Sequence, residues 1–279
     1  TSDNCISGSN YDFSIYGQEL QIGKLIANSS YSAIGANSVN IHGGDIQVTT
    51  TGNSGCIMSW SGDVRITNGK VTARSLNENG YYGCGIESSN NVIISGGIVD
   101  ASNSQNNGKG IYAYQNINIS GGKVTADATG QGGYGIYSYG GDISLGLSKA
   151  EDFIKSSSYK VGDDGNTHTI KIADGQTLTD ENGKKYSGNF ADPSSLNGKL
   201  FMKLVSTAYV DENGDIQNVD AIPLREGATS LEAGFYVVNK DITYTSPIKL
   251  KGDVKLILAD GKTMSLDTSD DCIWSPSYN

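Results

Sequence analysis

Asn116–Leu145 reads NINISGGKVTADATGQGGYGIYSYGGDISL, and its phrasing decides the fold. Earlier versions of the phrase are NSVNIHGGDIQV at 37–48, SGDVRITNGKVTA at 61–73 and NNVIISGGIVDA at 90–101. Ile34, Ile57, Ile86, Ile111 and Ile136 are equivalent positions, spaced by 23, 29, 25 and 25 residues. A period in the twenties is the signature of a solenoid. Each period holds three short runs with two-residue alternation: a Gly-Ile run such as Gly110-Ile111, a Val-x-Ile run such as Ile117/Ile119, and a run such as Val124/Ala126. Alternation over so few residues means strands, and the Ser, Gly, Asn and Asp clusters between them are turn chemistry.

Three strands per coil of about 25 residues, stacked in parallel register, make an all-β right-handed parallel β-helix. The driving force is burial. No single coil can hide its apolar face, whereas equivalent Ile, Val and Ala stacked about 4.8 Å apart form one continuous core. The Leu and Asn signature of leucine-rich repeats is absent, and an antiparallel sandwich does not predict one phrase repeated in register.

Outward from this stretch the regularity fades. Residues 1–147 read as β-helix coils. Residues 148–207 read as a closing segment with irregular strands, in which Leu147–Tyr159 is the one helix-like or irregular stretch. Asn182-Gly183 is a hairpin signal. Asp211–Asp215 is calcium-loop-like in composition but lacks the distal Glu, so a tight turn is expected. Residues 208–279 return to strand character. Asp270-Asp271-Cys272-Ile273 near the end mirrors Asp3-Asn4-Cys5-Ile6 near the start.

The segments GFYVVNKDITYTSPIKLKGDVKLILADGKTM, FSIYGQELQIGKL, GGKVTA and ADGQTLTDENGKKYSG resemble secreted surface proteins of gut bacteria that carry parallel β-helix domains. The resemblance implies fold and a secreted or cell-surface location rather than chemistry. It also implies that the 208–279 segment belongs at the entry of a helix. The expectation is therefore that 229–279 pack as coils ahead of residues 1–30, in the same molecule or in a neighbour. A permuted domain and a tandem array cut out of phase both fit this order.

Composition narrows the function. The net charge is −10, with 20 Lys and Arg against 30 Asp and Glu, so no basic stripe awaits nucleic acid. No apolar run reaches the length of a membrane span. Cys5, Cys56, Cys84 and Cys272 contain no Cys-x-x-Cys pair. They occupy Gly or Ala slots beside the core, as small semi-buried hydrophobes; a Cys56–Cys84 bridge between neighbouring coils is the alternative. His42 and His168 have no nucleophile beside them in sequence, which argues against a triad. Asp45, Asp63, Asp100, Asp127 and Asp142 are the coil carboxylates, and Asp63 and Asp142 hold the same place in coils too far apart to act as a pair.

Two sets of residues carry binding content. With Ile facing inward, the first and third residues after it face out. This sets Trp60, Tyr112, Tyr114, Tyr137 and Tyr139 on one outer face, beside Met58 and Glu87. Sixteen Tyr against 5 Phe fit amphipathic rings of this kind. Asp3, Asp270 and Asp271 are the candidate metal ligands, and calcium is the cofactor such turns would take. The favoured reading is a non-catalytic module for adhesion or glycan binding, its partner a polysaccharide or a surface glycan. The alternatives are a polysaccharide lyase or hydrolase of β-helix type, which needs converging carboxylates in a groove, and a purely structural spacer.

Overall fold

The computed structural model describes residues 4–76, 83–190, 193–196, 198–269 and 271–275. They form a parallel β-helix, and their one helical element is the 3-10 turn Pro193–Ser195. Three sheets run along the helix. The first stacks Ile6–Gly8, Ile34–Ala36, Gly55–Ser59, Cys84–Ser88, Lys109–Ala113, Tyr134–Ser138 and Tyr159–Val161. The second stacks the Val-x-Ile strands from Phe13–Ile15 to Ile170–Ile172, and the third stacks Lys24–Ser29 to Phe153–Ser156.

The register is the one the repeat dictates. Ile34, Ile57, Ile86, Ile111 and Ile136 pair in one column. Val71, Val99 and Val124 pair in another. All eight are essentially without solvent contact. Burying each such side chain is worth roughly 1.5–3 kcal/mol, and the columns repeat that gain at every coil.

Two features hold the coils in register. Asp63 Oδ1 accepts from the Asn91 backbone N–H at 3.1 Å, Asn91 Oδ1 from Asn116 N at 3.1 Å, Asn116 Oδ1 from Asp142 N at 2.9 Å, and Asp142 Oδ1 from Thr169 N at 2.9 Å. This side-chain ladder satisfies the backbone where the chain enters the second sheet. The other feature lies at the corner between the second and third sheets. There the turns 42–44, 67–69, 95–97 and 120–122 share one length and end on a glycine of positive φ, +84° at Gly97 and +92° at Gly122. A Cβ on Gly97 would stand 2.7 Å from the Gly69 carbonyl oxygen, so the corner closes only without one. By contrast, the corner between the third and first sheets changes length, through 51–54, 76–83, 104–108 and 129–133.

Parallel pairing continues past Leu147. The stretch read as helix-like or irregular is not helical: it is a turn, 146–152, followed by the strands Phe153–Ser156 and Tyr159–Val161, which pair with Lys123–Ala128 and Tyr134–Ser138. The corner turn is longer here than at 42–44, 67–69, 95–97 and 120–122. The stack is closed by antiparallel strands: Gly198–Met202 on Phe153–Ser156, and Asn189–Phe190 on Ile170–Ile172. Leu178–Thr179 and Lys185–Tyr186 form the hairpin that Asn182-Gly183 signals.

A second, shorter stack follows the hairpin Val205–Val210/Ile216–Pro223. In the loop of that hairpin the Asp211 carboxylate accepts from the Asn213 and Asp215 backbones at 2.9 and 3.0 Å, which makes it a turn anchor. Gly234–Val238 pairs with Val254–Leu258, Ile242–Tyr244 with Met264–Leu266, and Ile248–Leu250 with Ser230–Leu231 and Ile273–Trp274. The strands between 229 and 275 thus stack as coils, and among the described residues none of them pairs with Ile6–Gly8, Phe13–Ile15 or Lys24–Ser29. Their described strands pair with one another and with Ile222–Pro223. They sit instead beside the first stack, where Leu224, Leu231 and Tyr236 join the same core cluster as Leu147.

Candidate functional site

The outward residues of the first sheet build one continuous surface. The register pairs Met58 with Glu87, Glu87 with Tyr112, Tyr112 with Tyr137, and Tyr137 with Lys160. A parallel column starts each strand, aligning Gly55, Cys84, Lys109 and Tyr134. The five tyrosines pack ring to ring. Centroids lie 5.1 Å apart for Tyr112–Tyr114, 5.2 Å for Tyr112–Tyr137, 5.7 Å for Tyr134–Tyr137 and 5.9 Å for Tyr114–Tyr139. Tilted and edge-on arrangements at these separations are the favourable ones for aromatic pairs. Lys109 lies over Tyr112 and Tyr137 at 5.4 and 5.8 Å, and Lys160 over Tyr134 and Tyr137 at 5.2 and 5.1 Å.

This packing sorts the expected face into two layers. Tyr112 and Tyr137 point outward as the alternation requires, yet they keep only 8% and 6% of their surface, under the lysine stems and neighbouring rings. Burial first, then the neighbouring Tyr114, pushes the Tyr112 phenol well above the usual tyrosine range. The Tyr137 phenol is raised by burial first and then by its hydrogen bond to Asp163, donated at 2.6 Å. Asp163 is lowered in turn, by Lys160 first and Tyr137 second. Tyr114 and Tyr139 form the outer layer, 44% and 37% exposed. Trp60 belongs to neither: its ring lies on the backbone of Gly35 in the preceding coil, so close that a Cβ there would meet it at 2.6 Å.

The cysteines divide likewise. Cys56 lies in the core, where burial pushes its thiol up to about 11. Cys84 does not take the same inward slot. It aligns with Gly55 and Lys109 on the outer side and packs under Tyr112 and Tyr137. Cys84 stands two residues before Ile86 whereas Cys56 stands one before Ile57, so Gly85 is the equivalent of Cys56. All four cysteines are free thiols.

A second concave surface lies between the two stacks, a cleft of about 700 Å³ that sequence reasoning missed. One wall is the Ser-Gly-Gly corner, including Ser95, Ser120 and Lys123; the other includes Arg225, Thr229 and Glu232. Of its carboxylates Glu151 is exposed, while Asp152 and Glu232 have partners. Asp152 accepts from Ser148 N, Ser148 Oγ and Lys149 N at 3.1, 3.0 and 2.9 Å. Glu232 is held by Lys149 at 3.7 Å and Lys251 at 3.2 Å. The signal that could have found the cleft is the break in the repeat at 146–152, where a coil makes room for a neighbour.

Of the candidate calcium ligands, Asp3 and Asp270 lie outside the described residues, and Asp271 is exposed at the edge of the second stack. Among the described residues no three His, Cys, Asp or Glu side chains stand together as a metal set. His42 stacks on Tyr16 at 4.8 Å and shares a 3.0 Å hydrogen bond with Thr67; His168 shares one with Asp164 at 3.0 Å. No described helix is long and apolar enough to cross a membrane. No protein-family model, curated protein or solved structure matches the chain.

Proposed function

We propose that this chain is a non-catalytic, secreted or cell-surface β-helix module that binds glycan through the tyrosine face of its first sheet. The observation that carries the reading is the outer ring pair Tyr114 and Tyr139, exposed and set 5.9 Å apart on a rigid support. A sugar ring presents C–H groups on one face and hydroxyls around its rim. Phenol rings suit the first, and their own hydroxyls the second. The buried Tyr112 and Tyr137, covered by the partly exposed Lys109 and Lys160, support the outer rings before any ligand arrives, so little side-chain freedom is lost on binding. The engagement of several carboxylates supports a non-catalytic reading. Glycoside cleavage of the usual kind needs two of them free to flank a bond, while Asp63, Asp142, Asp152 and Glu232 are each engaged in holding the fold.

The test is a glycan array probed with wild type and with Tyr114→Ala/Tyr139→Ala. Binding by the wild type that falls at least tenfold in the double variant, with melting temperature unchanged, is the expected result. A wild type that retains no glycan would sink the sugar reading and leave the spacer reading, which the burial of Tyr112 and Tyr137 favours.

A further inference from the structure

The cleft between the two stacks gathers positive charge in an acidic chain. Lys123, Lys149, Arg225 and Lys251 line it against Glu151, Asp152 and Glu232, a net charge of +1 where the whole chain carries −10. Pairing sharpens the imbalance. Glu232 takes both Lys149 and Lys251, and the Asp152 carboxylate is filled by the donors of Ser148 and Lys149. That leaves Lys123 on the wall of the first stack and Arg225 on the wall of the second, both half-buried. Among the described residues neither the Lys123 ammonium nor the Arg225 guanidinium has an ion pair or a hydrogen bond.

Arg225 is the more telling of the two. The chain has three arginines, and Arg65 pairs with Asp63 and Arg74 with Asp100. Arg225 meets no carboxylate among the described residues, although the neighbouring Glu226 reaches Lys240 at 3.8 Å. Its side chain leaves the backbone beside the turn at Gly175, where an added Cβ would meet the Arg225 Cβ at 3.3 Å. Gln176, the next residue of that turn, is no partner for it, because both ends of its amide are held by the Leu147 backbone at 2.9 and 2.6 Å. A guanidinium drawn partly out of water without a counter-charge destabilises the fold, and a ligand anion restores what is lost. The rest of the lining is hydrogen-bonding capacity that the fold leaves unused. The hydroxyls of Ser95, Ser120 and Thr229 and the amide of Asn68 have no partner among the described residues. Nor do the backbone N–H groups of Gly97 and Gly122, whereas Gly44, at the same place in its turn, donates to Gln21 Oε1 at 2.8 Å. About 700 Å³ lies within the range of small-molecule sites, roughly 300–1,000 Å³.

We propose that this cleft binds an acidic saccharide, one whose ring carries a singly charged carboxylate or sulfate ester. Arg225 takes the anionic group through parallel N–H donors, and Lys123 faces it from the opposite wall as a point charge. Ser95, Ser120, Thr229 and Asn68 meet the ring hydroxyls. The net charge of the cleft matches one such group, whereas a doubly charged phosphate would leave it negative. The site uses none of the tyrosine-face residues and does not depend on the reading given to that face.

Isothermal titration calorimetry of the full chain at low salt tests it. The probes are galacturonate, hyaluronan and sulfated carrageenan tetrasaccharides, each beside its uncharged counterpart, methyl-esterified or desulfated. At least one charged probe is expected to bind. Its affinity should fall roughly tenfold or more in the uncharged counterpart and in Arg225→Gln and Lys123→Gln, the loss expected for a hydrogen bond to a charged group. It should be unchanged in Tyr114→Ala/Tyr139→Ala. Binding of galacturonate or hyaluronan identifies the carboxylate, and binding of carrageenan alone the sulfate ester. A wild type that binds none of the three, or binds charged and uncharged forms equally, overturns the proposal. So does binding that survives both cleft variants and is lost with the tyrosine pair, which would assign the sugar to the tyrosine face. Lys123 stands on a strand of the regular coils, so its variant decides the matter even if Arg225→Gln does not fold.

Discussion

Glu87 sits half-buried in the tyrosine face, accepting a hydrogen bond from the Gly55 backbone at 3.0 Å beside the Cys84 thiol. Burial, the largest influence, raises its carboxyl above the usual glutamate range, opposed by the Gly55 hydrogen bond and by Lys109. The folded protein therefore holds this proton more tightly than the unfolded chain does. The stability this contributes is fully present below the ordinary glutamate value of about 4.3, and is lost as pH rises through the raised native value. Glu87→Gln keeps an acceptor for Gly55 and removes the buried charge. It should melt above wild type at pH 8 and together with it at pH 4. A lower melting temperature at pH 8 would show instead that the anion is used by Lys109. At this scale the sequence was readable for direction and poor for exposure. Alternation correctly sent Tyr112 and Tyr137 outward, but side-chain direction is set by the backbone, whereas exposure depends on which neighbours fold over the ring. Lys109 and Lys160 do so here: Lys109 shares a strand with Tyr112 but lies one coil from Tyr137, and Lys160 lies one coil from Tyr137 on the other side, so the cover forms only when the coils stack.

Strands and turns were the most legible level. The Ile and Val columns follow from two-residue alternation repeated at nearly constant period, and their pairing follows once the period is seen. The corner glycines are a sharper test of the fold than the columns. Gly97→Ala adds a Cβ that meets the Gly69 carbonyl at 2.7 Å in a left-handed turn, whereas Gly165, at φ +85°, has open space around it. The conformational strain, about 1 kcal/mol, is common to both substitutions. Gly97→Ala should cost about 2–3 kcal/mol in urea unfolding because the turn must also shift, and Gly165→Ala about 1. Equal losses would mean that the corners are not in close contact between coils. What stayed illegible was the antiparallel closure by Gly198–Met202 and Asn189–Phe190. Those strands pair with partners distant in sequence and carry no copy of the phrase that announces the coils.

The two stacks share one core, to which Leu147, Leu224, Leu231 and Tyr236 belong, and Lys149 pairs with Glu232 between them. Leu231 is 6% exposed at that junction. Leu231→Asp should let a protease cut within 224–275 at doses that leave 34–172 intact, as read by mass spectrometry. Uniform loss of both parts would instead make the molecule one cooperative unit. The sequence showed that 229–275 form coils, and their mirror of the first residues. It did not show that they lie beside the first stack, because lateral packing leaves no periodic trace.

The unequal corners have a consequence for how such a chain changes over generations. Where the turns 95–97 and 120–122 stack glycine on carbonyl, a Cβ would meet the neighbouring coil's carbonyl oxygen at 2.7 and 2.8 Å, and this corner is longer only at the two ends of the row, 16–23 and 146–152. At 76–83, 104–108 and 129–133, length already varies between coils while the columns stay aligned. Those loops lead directly into Cys84, Lys109 and Tyr134, the first residues of the tyrosine face. Extra length is thus confined to the ends of the row at the glycine corner, and occurs between the regular coils at the corner that leads into the tyrosine face. The fold can acquire new recognition loops there without renegotiating its core.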